Sequence, residues 1–229
     1  MAGSFYAKRE VMNSWKEIKE ETKEYDYVVV GIGPEWYSSE TPEISSDTTT
    51  KSREELLNAY RNIKEIIGDK KYYIISLTYD DLIYDVFDEE DVNIVAPCGT
   101  KRLMQCISGT HLMSLDEIVD RDNMVCPVCG EKLVYNNILA ENYMEEGYMD
   151  KFESYKKFLQ GTVNRKLMII ELGDTMKFPQ VIRFPFDKLC VYNYKAKFYR
   201  INDKMPQHVS ENNARGISIK RNSVEFMNE

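Results

Sequence analysis

The segment Cys126-Pro127-Val128-Cys129-Gly130 has the chemistry of a metal knuckle. Two thiolates three residues apart can point at one ion, and the glycine that follows permits the tight turn that aims backbone N–H groups at sulfur. Such a knuckle is half of a zinc site. The other half departs from the common C-x₂-C pattern: Cys106 lies at a suitable distance upstream, but Gly109, where its partner is expected, offers no ligand atom. Two residues can fill the fourth position, His111 as a C-x₄-H pair with Cys106, or Cys98. Tetrahedral Zn²⁺ accepts Cys₃His and Cys₄ equally well. Spacing favours His111. The alternative is a module without metal, in which the thiols are merely packed.

The elements that position these residues occupy a chain of 229 residues with five cysteines and a net charge of −8. That length suits one large core or a core plus a small satellite module, and one main domain is expected. The negative charge is spread without a basic block, so a nucleic-acid backbone is not expected as a partner. No apolar run approaches the roughly 20 residues that span a bilayer, and the first residues lack the apolar stretch of a secretory signal. The expected location is the cytoplasm, with no membrane partner. In that reducing compartment cysteines serve metals or reactive thiols and not disulfides. Cys190, alone in its segment, reads as a small buried hydrophobe.

Hydrophobic periodicity gives the elements. Val11, Trp15 and Ile18 recur at helical spacing and predict an amphipathic helix over roughly 5–24. "YDYVVVGIG" (25–33) is a β-branched run without alternation, the pattern of a strand buried on both faces, and it ends in Gly31-Ile32-Gly33. A long Ser/Thr/Pro/Glu loop (34–51) leads to Ser52, which with Glu55 caps a helix whose apolar face is Leu56, Leu57, Tyr60, Ile63 and Ile67 and whose stop is Gly68. Strands follow at 72–76 and 92–96, with a short helix around Asp81–Phe87 between them. After a helix near 149–160 come strands at 166–172, 197–201 and 216–220. Short apolar strands separated by helices predict βαβ units and an α/β fold, a parallel sheet covered on both faces.

Several stretches carry a family resemblance in order. "VVVGIGPEWYSSETPEIS" is similar to a Gly-Ala-Gly-Ile-Ser loop followed by an Ile-Pro-Asp-Phe-Arg segment: Gly31 and Gly33 are kept, Thr41-Pro42-Glu43-Ile44-Ser45 replaces the second part, and the arginine is gone. "IISLTYDDL" is similar to Thr-Gln-Asn-Ile-Asp-x-Leu, keeping Asp80 and Leu82 but with Leu77 and Thr78 where Gln and Asn are expected. Cys98-Gly99 falls on a His-Gly pair, and Cys106 follows at the spacing of a first zinc cysteine. "LGDTMKFP" resembles a Gly-Thr-Ser loop through Gly173, Asp174 and Thr175, and "FYRIND" a strand that ends in an adenosine-contacting Asn, here Asn202. From about Tyr27 to Glu229 the chain thus resembles a sirtuin.

The resemblance implies a Rossmann-like NAD-binding domain (1–97 and 162–229) and a small inserted zinc-binding module with a connecting helix (98–161). It implies cofactor contacts at Gly31, Gly33, Thr78, Gly173, Asp174, Thr175 and Asn202, catalytic positions at Cys98 and Asp80, and zinc on Cys106, His111, Cys126 and Cys129. Cys98 then lines the cleft and Cys106 belongs to the metal. Sirtuins use NAD to remove acyl groups from lysine, with His as base on a ribose hydroxyl, Asn and Asp at the nicotinamide end, and Arg ordering the cofactor loop. Three of those four residue types are absent here. A thiol of ordinary pKa about 8.5 is poorly matched as a base beside a His near 6.5. Glu35, next to the glycine turn, would repel a pyrophosphate unless it points away. The expectation is a sirtuin-like protein that binds NAD or ADP-ribose with lysine deacylase activity weakened or lost. The alternative is an active NAD-dependent enzyme, performing deacylation, ADP-ribosyl transfer or NAD hydrolysis with Cys98 and Asp80. An acylated or unmodified protein is the macromolecular partner in either case.

Overall fold

Strand β1 (Tyr27–Ile32) shows how a run without alternation is used. Val28, Val30 and Ile32 join one apolar cluster and Val29 joins another, on the opposite face of the sheet. With both faces covered, polar alternation has nowhere to go. The computed structural model describes residues 14–38, 51–87, 93–118, 120, 121, 123–212 and 214–229.

Around β1 lies a sheet with β2 (Lys71–Ser76), β3 (Ile94–Val95), β7 (Leu167–Leu172), β8 (Ala196–Ile201) and β9 (Gly216–Ile219), in the order β3-β2-β1-β7-β8-β9, every adjacent pair parallel. Between β3 and β7 the chain forms a separate antiparallel sheet, β5-β4-β6, from β4 (Gly99–Cys106), β5 (Leu112–Ser114) and β6 (Leu133–Asn137). The strand order reverses between β1 and β7. In an open parallel sheet this is where loops diverge and ligands bind.

Helices α1 (Trp15–Thr22), α2 (Arg53–Ile67) and α5 (Ser223–Met227) cover one face, and α3 (Glu146–Gly161) and α4 (Arg183–Tyr192) the other. The predicted box at the start of α2 is present: the Ser52 hydroxyl accepts from the Glu55 N–H, and the Glu55 carboxylate accepts from the Ser52 N–H. Gly68 ends the helix at φ +56°. The first helix runs Trp15–Thr22, capped by Ser14; Val11 and the rest of 1–13 lie outside the described residues, as does the 39–50 part of the long loop. The short helix expected around Asp81–Phe87 is a 3₁₀ turn over Leu82–Asp85, because Asp81 adopts φ +64° and breaks the approach to it.

Helix α3, which joins the module to β7, is packed on the large sheet. Tyr155 is buried in the same cluster as Val29 and Phe198, with Phe152 and Phe158 against it.

Candidate functional site

The module's ligand atoms are brought together by its small sheet. Cys106 closes β4, His111 precedes β5, and the knuckle lies between the Val125–Lys132 bridge partners. The three sulfurs and an imidazole nitrogen of His111 all lie within 4.8 Å of one another. Cys106 Sγ is 3.3 Å from both His111 Nδ1 and Cys129 Sγ; two thiolates on one tetrahedral zinc stand ~3.8 Å apart. The Val128 and Cys129 N–H groups donate to Cys126 sulfur, and Gly130, at φ +76°, turns the chain back with its N–H on the Cys126 carbonyl. This Cys₃His cluster fits zinc in donor type and in closeness. His111 is therefore the fourth member, and Cys98 is packed elsewhere, in the core beneath the large sheet.

At the carboxyl ends of the strands the expected residues line one edge. Gly31 and Gly33 end β1, Thr78 and Asp80 follow β2, Cys98 follows β3, Gly173, Asp174 and Thr175 follow β7, and Asn202 follows β8. Many of them are occupied by this chain's own contacts. A Cβ at Gly31 would meet Ile182, just ahead of α4, and Phe186 within it at no more than 2.8 Å, and one at Gly33 would meet the Gly173–Asp174 backbone within 2.5 Å. Close approach of chain to chain is what these glycines permit here. Thr78 turns inward to the Ser76 hydroxyl (2.8 Å). The Asp80 carboxylate accepts from the Ser38 and Leu82 N–H groups, and burial raises its pKa. Asn202 donates to the Asp174 carbonyl (2.5 Å) and accepts from the Lys204 and Met205 N–H groups. It thus staples the β7 loop to the β8 loop. Thr175 accepts from the Lys177 N–H.

Cys98 lies where several of these segments converge. It is 3% exposed. Burial pushes its thiol up to about 12, with Lys177 pulling it down and Asp174 pushing it up. Tyr37 from the β1 loop, Tyr143 ahead of α3 and Tyr148 within α3 lie close enough to this thiol to interact electrostatically. Tyr37 and Tyr143 are fixed by hydrogen bonds to the Leu77 and Pro97 carbonyls. Asp174 is 1% exposed; Oδ1 accepts from the Thr175 N–H, while Oδ2 has no hydrogen-bond partner. Burial, then the Glu171 charge, pushes this carboxyl up to about 7. A buried carboxylate oxygen without a donor calls for a partner beyond the chain's own groups.

One functional support was not anticipated from sequence. Glu171 on β7 takes Arg200 of β8 in a two-point pair (2.7 and 2.8 Å), both fully buried, with Asp187 and Arg183 of α4 alongside. Arg183 and Arg200 also donate to the carbonyls of Met205 and Gln207. The network therefore anchors the loop that follows Asn202. Its signal was a single acid in one apolar strand and a single Arg at the paired register of the next.

The fold as a whole matches solved structures. A Sir2 homologue in complex with NAD superposes with a TM-score of 0.57 over all of this chain and 93% of that one, at 14% identity. A mutant Sir2 homologue bound to ADP-ribose gives a TM-score of 0.54 over 93% of each chain, at 13% identity. This chain has the sirtuin fold. A Sir2–p53 peptide–NAD⁺ complex shares that sirtuin fold with a TM-score of 0.55 over 93% of this chain and 95% of that one, at 12% identity. In sequence, a protein ADP-ribosyltransferase of Staphylococcus aureus is 22% identical over 173 residues, covering 67% of this chain; the chain spans 55% of that relative's length. No family model matches the sequence.

Proposed function

We propose that this chain binds NAD or ADP-ribose in the crevice at the carboxyl ends of β1, β2, β7 and β8, and that its lysine deacylase activity is weakened or lost. The observation that carries this reading is the environment of Cys98. It occupies the position that the sirtuin resemblance gives to the base, among residues from the β1 and β7 loops and α3, yet burial keeps it a thiol at neutral pH. A thiol held near 12 is neither a good base nor a good nucleophile. The orphaned Asp174 oxygen supports binding, since a ligand hydroxyl would give it a donor. Thr175, Asn202 and Asp80 frame the same edge. Zinc on Cys106, His111, Cys126 and Cys129 would stabilise the module and take no part in the chemistry.

A second reading has its own observation, the likeness to a protein ADP-ribosyltransferase. On that reading the bound NAD gives its ADP-ribosyl group to a protein acceptor, with Asp80 and Cys98 facing the ribose. An acylated or unmodified protein is the partner proposed on either reading, and the cytoplasm is the proposed compartment, in keeping with five free cysteines. Among the described residues no helix is long and apolar enough to cross a membrane.

The test sets the unmodified protein beside Cys98→Ala and Cys98→His in assays of NAD-dependent deacylation, nicotinamide release and ADP-ribose incorporation. Binding without turnover, with deacylation gained only in Cys98→His, is the expected result. Robust deacylation abolished by Cys98→Ala would overturn the reading. Nicotinamide release with protein labelling and without deacylation would favour ADP-ribosyl transfer.

A further inference from the structure

Glu35 stands two residues past Gly33, at the reversal of strand order, and its side chain is engaged. Oε2 accepts from the Ser223 N–H (2.9 Å) and the Ser223 hydroxyl (2.7 Å), and Oε1 accepts from the Asp203 N–H (3.4 Å). The Ser223 oxygen in turn accepts from the indole N–H of Trp36 (2.9 Å). The Glu35 N–H donates to the Gly173 carbonyl, and a Cβ at Gly173 would come within 2.6 Å of both Glu35 Cβ and Oε2. Glu35 thus ties its own segment after β1 to those that follow β8 and β9 through its carboxylate, and to the one that follows β7 through its N–H.

In an open parallel sheet ligands lie outside the carboxyl ends of the strands at the switch of strand order, where backbone N–H groups can hold a ligand's phosphates. Here two backbone N–H groups and a hydroxyl already hold an anion, and that anion belongs to the chain. Burial pushes the Glu35 carboxyl up, while the bonds from Ser223 and Asp203 draw it down. A diphosphate entering at this point meets a like charge on the donors it would use.

We propose that Glu35 is an internal competitor for the dinucleotide: its carboxylate takes the hydrogen-bond donors at the switch point, so a ligand's diphosphate binds only by displacing it or by lying against it. The inference rests on the crevice being the NAD or ADP-ribose site, and concerns the phosphate end of that site. It differs from simple steric filling, because removal of the charge with the side-chain shape kept should relieve it. It also differs from a general loosening of the crevice, because relief should be confined to ligands that carry phosphate.

The test is isothermal titration of ADP-ribose and of adenosine into the unmodified protein, Glu35→Gln and Glu35→Ser, with ligand-free melting curves to establish that each variant is folded. Glutamine keeps an acceptor for the Ser223 donors without the charge. The expected result is ADP-ribose binding at least about tenfold tighter in Glu35→Gln, as relief of a like-charge contact allows, with adenosine changed by less than about threefold. Should Glu35→Gln unfold, the same comparison is read from Glu35→Ser. Binding of ADP-ribose by the unmodified protein with no gain in the folded variants, or an equal gain for adenosine, would overturn the competitor and leave the site standing. Binding seen only in the variants supports the competitor. If no form binds ADP-ribose at millimolar concentration, the site itself is wrong and the competitor falls with it.

Discussion

Asp174 is a buried carboxyl with one satisfied oxygen and one orphan, and its cost depends on pH. Its folded pKa of about 7 lies above the ordinary 3.8, so between those values the folded state holds more protons than the unfolded one. Stability from this residue is therefore full below about pH 4 and declines as pH rises towards 7, by at most about 4 kcal/mol. Asp174→Asn should melt above the unmodified protein at pH 8, with the difference vanishing near pH 4; melting curves across that range check it. The Glu171–Arg200 pair makes the opposite demand. Arg200→Met leaves the buried Glu171 carboxylate with only its longer contact to Arg183 (3.4 Å) and should cost about 3 kcal/mol, read from denaturant unfolding. The position of Cys98 was legible from its place ahead of Cys106, whereas its raised pKa was not. The thiol is buried in an apolar cluster that also holds Tyr73, Leu77 and Tyr155, residues that the fold brings together from distant parts of the chain.

At the scale of elements, the zinc module shows how much a motif can carry. The knuckle and its Cys106 were plain in the sequence, and the choice of His111 over Cys98 followed spacing that β4 and β5 realise. The three-stranded sheet around them was not foreseen, because strands such as Leu133–Asn137 mix apolar and polar residues and one side stays partly exposed. One zinc per chain is expected by metal analysis of purified protein. Cys126→Ser should unfold the module ahead of the large sheet, since metal binding at such a site is folding energy. Hydrogen exchange should then rise over 99–137 and not over β1 or β7; a uniform rise would contradict this. The glycine turn gives a second check. Gly33→Ala places a Cβ 2.3 Å from the Asp174 Cα, a backbone atom that cannot swing aside, and should destabilise by about 1–3 kcal/mol. The sequence marked Gly33 as special, but as a place for pyrophosphate; its crowding by the β7 loop depends on pairing between distant strands.

For the whole molecule, the parallel sheet was legible because strands buried on both faces leave unbroken β-branched runs, as in Tyr27–Ile32 and Leu167–Leu172. Helices α4 and α5 were missed, α4 because Pro185 and two phenylalanines blur its periodicity and α5 because five residues hold little pattern. The segment Thr41–Ser45, where the cofactor-loop arginine is lost, lies outside the described residues. On the function proposed above, the sheet and the segments around Cys98 belong to one reading, in which a sirtuin fold would keep a nucleotide site and lose the base. Isothermal titration of the unmodified protein with NAD and with ADP-ribose tests it most directly. The account predicts one site per chain and a melting temperature that rises with either ligand by mass action; no heat and no rise with either at millimolar concentration would contradict it.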